Sequence, residues 1–396
     1  MKHTMRCRRG SVIVLSLGVV IVVATLGATM MVRGLNEHQL GQRYAAREKA
    51  LSLAEAALDQ ASFNLRTPTD PADDVLSGAL PTGTFQIESP VTQLTPVRWR
   101  VTTQGTSGQE QRRAEGVFDL TPQSVFQYAL FANQQLTVSG NGITDSYDSV
   151  LGPYNDDPNA PGYNANHNGD VGTNSLAAGG VTVGGSIFVD GQVIVGAGAT
   201  DPLSVVSGYN PAFITGGTSP PTDTQDVVSL PSLFPMPAVT VPQGLTCNDF
   251  TVGGQTTVTL PPGVYCYRNL SIQGGGTLTT TGLGTVTIYL TGSLSAKGNS
   301  TVGYVTNPSQ MLFLMSSGSQ ATLEEGTITG DTNFFGALCG PQATIDIKGN
   351  ATVFGSIVAN QVNLTGSAVI HYDENLSRVT TVPNVYRRTL ISWREL

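Results

Sequence analysis

The sequence predicts a mainly β protein entered by one long helix, in the order helix, small antiparallel sheet, β-solenoid. Three observations carry this reading. Ser11 to Val32 is a run of 22 residues without a charged side chain, and it continues into a second helical pattern. Only 12% of the 396 residues are charged while 46 are glycine, a texture unlike that of an ordinary soluble domain. From about Phe126 onward, short β-branched strings recur between Gly, Asn or Asp steps, the rhythm of stacked coils.

At a rise of ~1.5 Å per residue the apolar run is about 33 Å long, enough to cross a hydrocarbon core and too long for a secretory h-region. Lys2, Arg6, Arg8 and Arg9 lie on its N-terminal side only, which predicts a cytoplasmic head and an outward remainder. Beyond it, Leu40, Tyr44, Leu51, Ala54, Leu58, Ala61 and Leu65 recur at four-three spacing with Arg47 as the interruption. That spacing makes a seam for packing. Residues 1–10 therefore read as a leader and 11–65 as a single helix ended by Thr67-Pro68, about 80 Å in all.

Arg8-Arg9-Gly10-Ser11 ahead of this helix resembles the leader of the type IV pilin family, whose prepilin peptidase cuts after the glycine on the cytoplasmic face. The string Arg9 to Leu17, with Ala54-Glu55-Ala56-Ala57-Leu58 further on, is similar to the N-terminal module of PilX-type pilus assembly proteins. The resemblance implies cleavage between Gly10 and Ser11, methylation of the new terminus, and other pilins and minor pilins as partners. It implies the bacterial inner membrane as the first location, then the periplasm or an extracellular pilus. Two positions depart from the pilin pattern: Ser11 replaces the usual phenylalanine, and Leu15 stands where major pilins carry glutamate. A carboxylate there neutralises a neighbour's buried terminal amine, and an unpaired charge in an apolar fibre core is costly. Its absence points to a minor or priming subunit.

Residues 66–83 read as a polar linker. Residues 84–122 read as a small antiparallel meander of three runs, Thr84 to Ser89, Val97 to Gln104 and Gln111 to Leu120, with Thr106-Ser107-Gly108 as a turn. Trp99 and Phe118 are its candidate core residues against the helix. Residues 123–380 form the solenoid. Gly298-Asn299-Ser300-Thr301-Val302 and Gly349-Asn350-Ala351-Thr352-Val353 lie 51 residues apart, with Ser139-Gly140-Asn141-Gly142 as an echo. Such corners tolerate left-handed backbone, and neutral Thr and Asn ladders avoid like charges at strand spacing. An immunoglobulin-like sandwich rarely shows so many strands this short.

Pro262-Gly263-Val264-Tyr265, Val286 to Gly292, Gly349-Asn350-Ala351 and the closing His371-Tyr372-Asp373-Glu374-Asn375-Leu376 resemble the Gly-rich C-terminal domains often appended to PilX-type modules. The likeness implies a right-handed parallel β-helix and is silent on activity. The tail, residues 381–396, is expected as a terminal strand or cap that protects the solenoid end from strand addition.

Charge narrows the partners. Between Thr121 and Ser377 the basic side chains are Arg268, Lys297 and Lys348, and without the four head cations the chain carries 16 Lys and Arg against 28 Asp and Glu, a net of −12. Nucleic-acid binding needs clustered cations and is not expected. Cys247 and Cys266 close a short loop on the exported side and are the expected disulfide, leaving Cys339 as a small buried residue. His3, His38, His167 and His371 are too scattered for a zinc site.

Any catalytic group would lie among the acids. Asp145, Asp148, Asp156, Asp157 and Asp170, with Tyr147 and His167, form the richest stretch. It reads more simply as a solvated loop between coils, with Asp145, Asp148 and Asp170 as the ligands a structural calcium ion would use. His371 and Asp373 share a strand face and are expected to hydrogen-bond, closing the last coil. The expectation is a non-enzymatic, cofactor-free, pilin-like component whose helix packs into a fibre and whose head primes assembly or meets a surface glycan. The rivals are a minor pseudopilin of type II secretion and a membrane-anchored polysaccharide enzyme acting through Asp145 or Asp170.

Overall fold

The computed structural model describes residues 9–65, 77–215, 226–316, 325–382 and 385–396. Most of the leader and much of the expected linker lie outside the described residues. The chain divides into two compact units, Met1–Thr121 with Tyr386–Leu396, and Pro122–Val385.

The first unit is a helix on a sheet. Helix α1 spans Arg9–Asn64, 56 residues without a break. Its C-terminal third buries Ala50, Leu53, Ala54, Ala57, Leu58 and Ala61, and Leu65 just past its end is buried with them. They lie against Ile87, Trp99, Val101, Phe118 and Leu120 of an antiparallel sheet. The strands are β1 (Ser77–Leu80), β2 (Gly83–Thr95), β3 (Arg98–Ser107) and β4 (Glu110–Pro122). The register pairs Trp99 with Phe118 and Thr103 with Ala114. Alanines on the helix and Gly105 on β3 bring backbone against backbone: a Cβ at Gly105 would sit 2.0 Å from the Ala50 carbonyl oxygen. The Thr103 hydroxyl donates to the Ala54 carbonyl at 2.8 Å across the same gap.

The C-terminal tail takes the strand form of the two expected for it, and that strand belongs to this sheet. Its strand, Tyr386–Glu395, is hydrogen-bonded beside β4 as the fifth strand of the sheet. The Leu396 N–H donates to the Arg113 carbonyl and the Thr121 hydroxyl to the Arg387 carbonyl, and Arg394 and Glu395 form ion pairs with Glu115 and Arg112. The sequence order hides this because the whole second unit is inserted between two neighbouring strands.

The second unit is a parallel solenoid, and its spatial order differs from its chain order. Strands Asn248–Val252, Gly263–Ile272, Val286–Leu290, Met311–Met315, Asn333–Lys348 and Thr352–Leu364 lie on successive coils, each paired in parallel with the next. Thr352–Leu364 then pairs with Leu130–Gly140, and Val369–Asp373 pairs with Ile143–Tyr147. The chain thus enters the stack in the middle, climbs outward through Val171–Thr173, Val193–Val195 and Val227–Ser229, crosses to the far end and winds back onto its own first coil. Inward rows such as Ile288, Phe313, Leu338, Ile357, Leu130, Val171 and Val193 are 0% exposed, which is the burial that holds the stack together.

One corner of the stack is a column of glycines, Gly254, Gly274, Gly298, Gly330, Gly349, Gly366, Gly140 and Gly185, all at positive φ. Neighbours approach so closely that a Cβ on Gly140 would lie 1.9 Å from the Gly366 carbonyl oxygen. At Gly140 glycine is required by both backbone angle and space. The repeated Gly-Asn steps of the sequence are these corners, and the 51-residue interval covers two coil steps.

The crossing segment, residues 230–247, is an irregular strap. Leu230, Phe234 and Val239 are buried under it, and the Phe234 N–H and carbonyl are both held by the Asn174 side chain at 2.9 Å. The strap covers one outer sheet row: Cys266, Tyr289, Leu314, Cys339, Val358 and Phe131 are aligned on consecutive coils and buried. Phe131 meets Phe234 with ring centroids 4.3 Å apart. Covering both faces explains why Met311-Leu312-Phe313-Leu314-Met315 is apolar throughout instead of alternating.

Candidate functional site

Two places concentrate the sequence features singled out above: the uncovered part of α1, and the join where the last coil of the solenoid meets the first.

On α1, Gly10 and Ser11 lie within the helical backbone, just inside the described residues. From Val14 to Tyr44 the helix is bare. Leu15 is 73% exposed, Leu26 53%, Leu40 51% and Tyr44 64%. This segment is long and apolar enough to cross a membrane. The expected seam therefore divides in two. Ala54, Leu58 and Leu65 are consumed by the protein's own sheet, Leu51 is half-buried, and only Leu40 and Tyr44 remain for a partner. Ala50 and Leu53, outside the four-three seam, and Ala57 complete the buried face because the sheet covers a broader arc than a narrow coiled-coil stripe.

At the join, each polar residue of His371-Tyr372-Asp373-Glu374-Asn375 is engaged. The Asp145 carboxylate lies 2.6 Å from His371 Nδ1 and accepts from the Tyr154 hydroxyl at 2.5 Å. Tyr154 stacks on the imidazole, ring centroids 3.7 Å apart. The Tyr372 hydroxyl donates to the Phe126 carbonyl at 2.8 Å. Asp373 Oδ1 accepts from the Ser149 and Asn375 N–H groups. Glu374 Oε1 accepts from Ser146, Asn166 and Asn168, and Asn375 donates to the Ser309 hydroxyl. The expected bond between His371 and Asp373 is replaced by one from His371 to Asp145, since the facing coil presents a carboxylate in register and Asp373 is drawn inward as a cap.

Burial raises the Asp373 carboxyl above the usual carboxylate range, with the nearby Asp148 charge adding to this and the hydrogen bonds from Ser149 and Asn375 opposing it. Burial likewise raises Asp170, and it drives the Tyr154 hydroxyl strongly upward, assisted by its bond to Asp145.

The three acids considered for calcium are not brought together. Asp145 is bound to His371 and Tyr154, Asp148 accepts the Val150 N–H at 2.9 Å, and Asp170 accepts the Gln192 N–H at 2.7 Å. Among the described residues no three acidic, histidine or cysteine side chains are grouped to hold a metal. The acid-rich stretch is a folded loop in which the Asn164 amide ties the Gly152 and Pro153 carbonyls to the Asn155 N–H. His167 pairs with Asp190 at 2.7 Å.

Cys247 and Cys266 form the disulfide expected from the sequence and pin the end of the strap to the row it covers. Cys339 is free and fully buried, which pushes its thiol up to about 12.

Residues 251–379 match a family described as a domain of unknown function, DUF7305. No curated protein sequence matches the chain. Among solved structures, the chain is similar to the DUF3494 domain of an ice-binding protein from Shewanella frigidimarina. That match is 18% identical, covers 64% of this chain and 98% of that one, and has a TM-score of 0.37. It is also similar to the competence-associated pilin ComZ from Thermus thermophilus, 14% identical over 89% of this chain and 97% of that one, with a TM-score of 0.31.

Proposed function

We propose that the chain is a minor pilin-like subunit of a type IV pilus or related fibre, anchored by α1 in the inner membrane before assembly and carrying the solenoid as its displayed head. The observation that supports this reading most directly is the asymmetry of α1. One continuous helix is bare and apolar over its first half and packed on its own antiparallel sheet over its last turns. A stalk that served only as a lipid anchor would have no need of apolar positions beyond the bilayer, such as Leu35, Leu40 and Tyr44, each more than half exposed. Gly27, Gly34 and Gly41, spaced by seven, have nothing packed within 4 Å of a Cβ position. Small residues at such spacing let a second helix approach closely.

In this mechanism α1 leaves lipid and gains contacts with other pilin helices, so that apolar surface exchanges one cover for another. Prepilin peptidase would act after Gly10, and Leu15 in place of a carboxylate suits a priming or tip position. The polysaccharide-enzyme reading is disfavoured, because Asp145 is buried, Asp170 is partly buried, and both are hydrogen-bonded within the protein. Intact mass and N-terminal sequencing, on protein from cells with and without an active prepilin peptidase, test the proposal. A terminus at Ser11 that depends on the peptidase supports it; an uncut leader in both strains overturns it.

A further inference from the structure

One corner of the solenoid carries an open groove of about 410 Å3 that none of the preceding features uses. One wall is a row of amides. Gln342, Asn360 and the pair Asn133-Gln134 sit at the same corner of three consecutive coils, so the row rises by ~4.8 Å per step. The opposite wall is the strap, with Met236 and Val239. No charged residue lines the groove.

These amides hold one another loosely. Asn133 reaches Asn360 at 3.5 Å, Asn360 reaches Gln134 at 3.3 Å, and Asn174 reaches Asn133 at 3.3 Å. Good bonds of this kind are about 2.9 Å long. Each primary amide offers two donors and an acceptor, and these long contacts leave that capacity open to a ligand. A hydroxyl group is also both donor and acceptor, so a row of amides suits a row of hydroxyls better than it suits a phosphate or carboxylate, which can only accept and would call for a cation. The apolar strap wall supplies a surface for the C–H face of a sugar ring. The volume lies within the usual range for small-ligand sites.

We propose that this groove binds a neutral oligosaccharide. The inference deepens the reading of the solenoid as a displayed head by giving the head a ligand class, while its chemistry lies wholly within residues 122–385.

The test is calorimetric titration of the full-length chain in detergent with cellotetraose, maltotetraose, mannotetraose and N-acetylchitotetraose, with tetragalacturonate as the charged control. The expected result is saturable binding of at least one neutral tetrasaccharide. Asn360→Ala with Gln342→Ala should weaken it at least ~10-fold, and Thr279→Ala, on a different solenoid face, should leave it unchanged. Gln134→Ala, on an exposed rung, should also weaken binding and serves if the double variant melts early. The proposal is overturned if no neutral tetrasaccharide binds up to about 10 mM, if tetragalacturonate alone binds, or if the groove variants bind like the wild type. Peptidase processing does not enter this measurement, so loss of the fibre reading and loss of the ligand are separately visible.

Discussion

His371 and Asp145, 226 residues apart, face each other on adjacent coils with Nδ1 and Oδ1 2.6 Å apart. The bond joins the last coil of the solenoid to its first, and the side chain is covered by the Tyr154 ring. No peptide connects the two coils there, so the backbone ladder between Thr352–Leu364 and Leu130–Gly140 and side-chain bonds such as this one make the join.

Replacing His371 by alanine should therefore cost about 2–3 kcal/mol, the usual range for a hydrogen bond to a charged group whose partner is left buried. Asp145→Ala should cost a similar amount, and the double variant less than the two together. Urea unfolding of the three variants measures this. Full additivity would show that the bond does not couple the two coils.

Glycine substitutions should separate space from backbone angle. At Gly303, φ is +104° and a Cβ would lie 1.6 Å from the Phe335 carbonyl oxygen. At Gly254, φ is +62° and a Cβ meets nothing within 4 Å. Gly254→Ala should cost about 1–2 kcal/mol, the left-handed penalty alone. Gly303→Ala should cost more than about 4 kcal/mol or prevent folding. Thermal melts of the two proteins give the comparison.

These two cases also mark what the sequence could and could not reveal. Coil corners were legible because Gly and Asn at turns answer to a local constraint, and Val286–Leu290 was legible as a strand because its pattern lies within five residues. The His371–Asp145 bond was not, since its geometry depends on the first coil sitting on the last, and nothing near either residue signals that. The strap was hidden for a related reason: Leu230, Phe234 and Val239 show neither helical nor strand period, so nothing local signals that they are buried. On α1 the four-three period marks an apolar face, but a period does not say which surface fills it.

Reducing the Cys247–Cys266 bond should loosen the strap before the stack. Closing a loop of this length is worth about 3 kcal/mol in the chain-entropy account, and the bond ties the strap to the coil row it covers. Hydrogen exchange in reductant should rise across residues 230–247 while Val286–Leu290 stays protected. Equal loss of protection in both would show that the strap and the stack open as one unit.

Asp373 gives a pH dependence of definite sign. Its folded carboxyl is raised above the ordinary value of 3.8, first by burial, so between the two values the folded state holds more protons than the unfolded state. The contribution of this group to stability is then full at low pH and falls as pH rises from about 3.8 through the raised value. Asp373→Asn keeps the Oδ1 acceptor for Ser149 and Asn375 and removes the titration. The melting temperature of the wild type should drop relative to that of the variant across this window; parallel profiles would contradict the assignment. Asp170, raised by burial too, is intact in both proteins and cancels in the comparison.

The division of α1 can be tested by two substitutions on the same helix. Leu58 is 4% exposed and packs on the sheet, whereas Tyr44 is 64% exposed. Leu58→Ala removes apolar contact and leaves a space, and should cost about 2–5 kcal/mol. Tyr44→Ala should leave the melting temperature of the purified chain within about a degree, because surface changes away from packed features are worth within ±0.5 kcal/mol. In cells the order should reverse: a fibre that uses the bare face of α1 will take up the Leu58 variant in proportion to the folded protein available, and the Tyr44 variant less than its folded amount permits. Measuring the fraction of each variant in sheared fibres against its level in the membrane separates the two effects. Equal uptake of the Tyr44 variant and the wild type would remove Tyr44 from the docking face and leave Leu35 and Leu40 as the positions to examine.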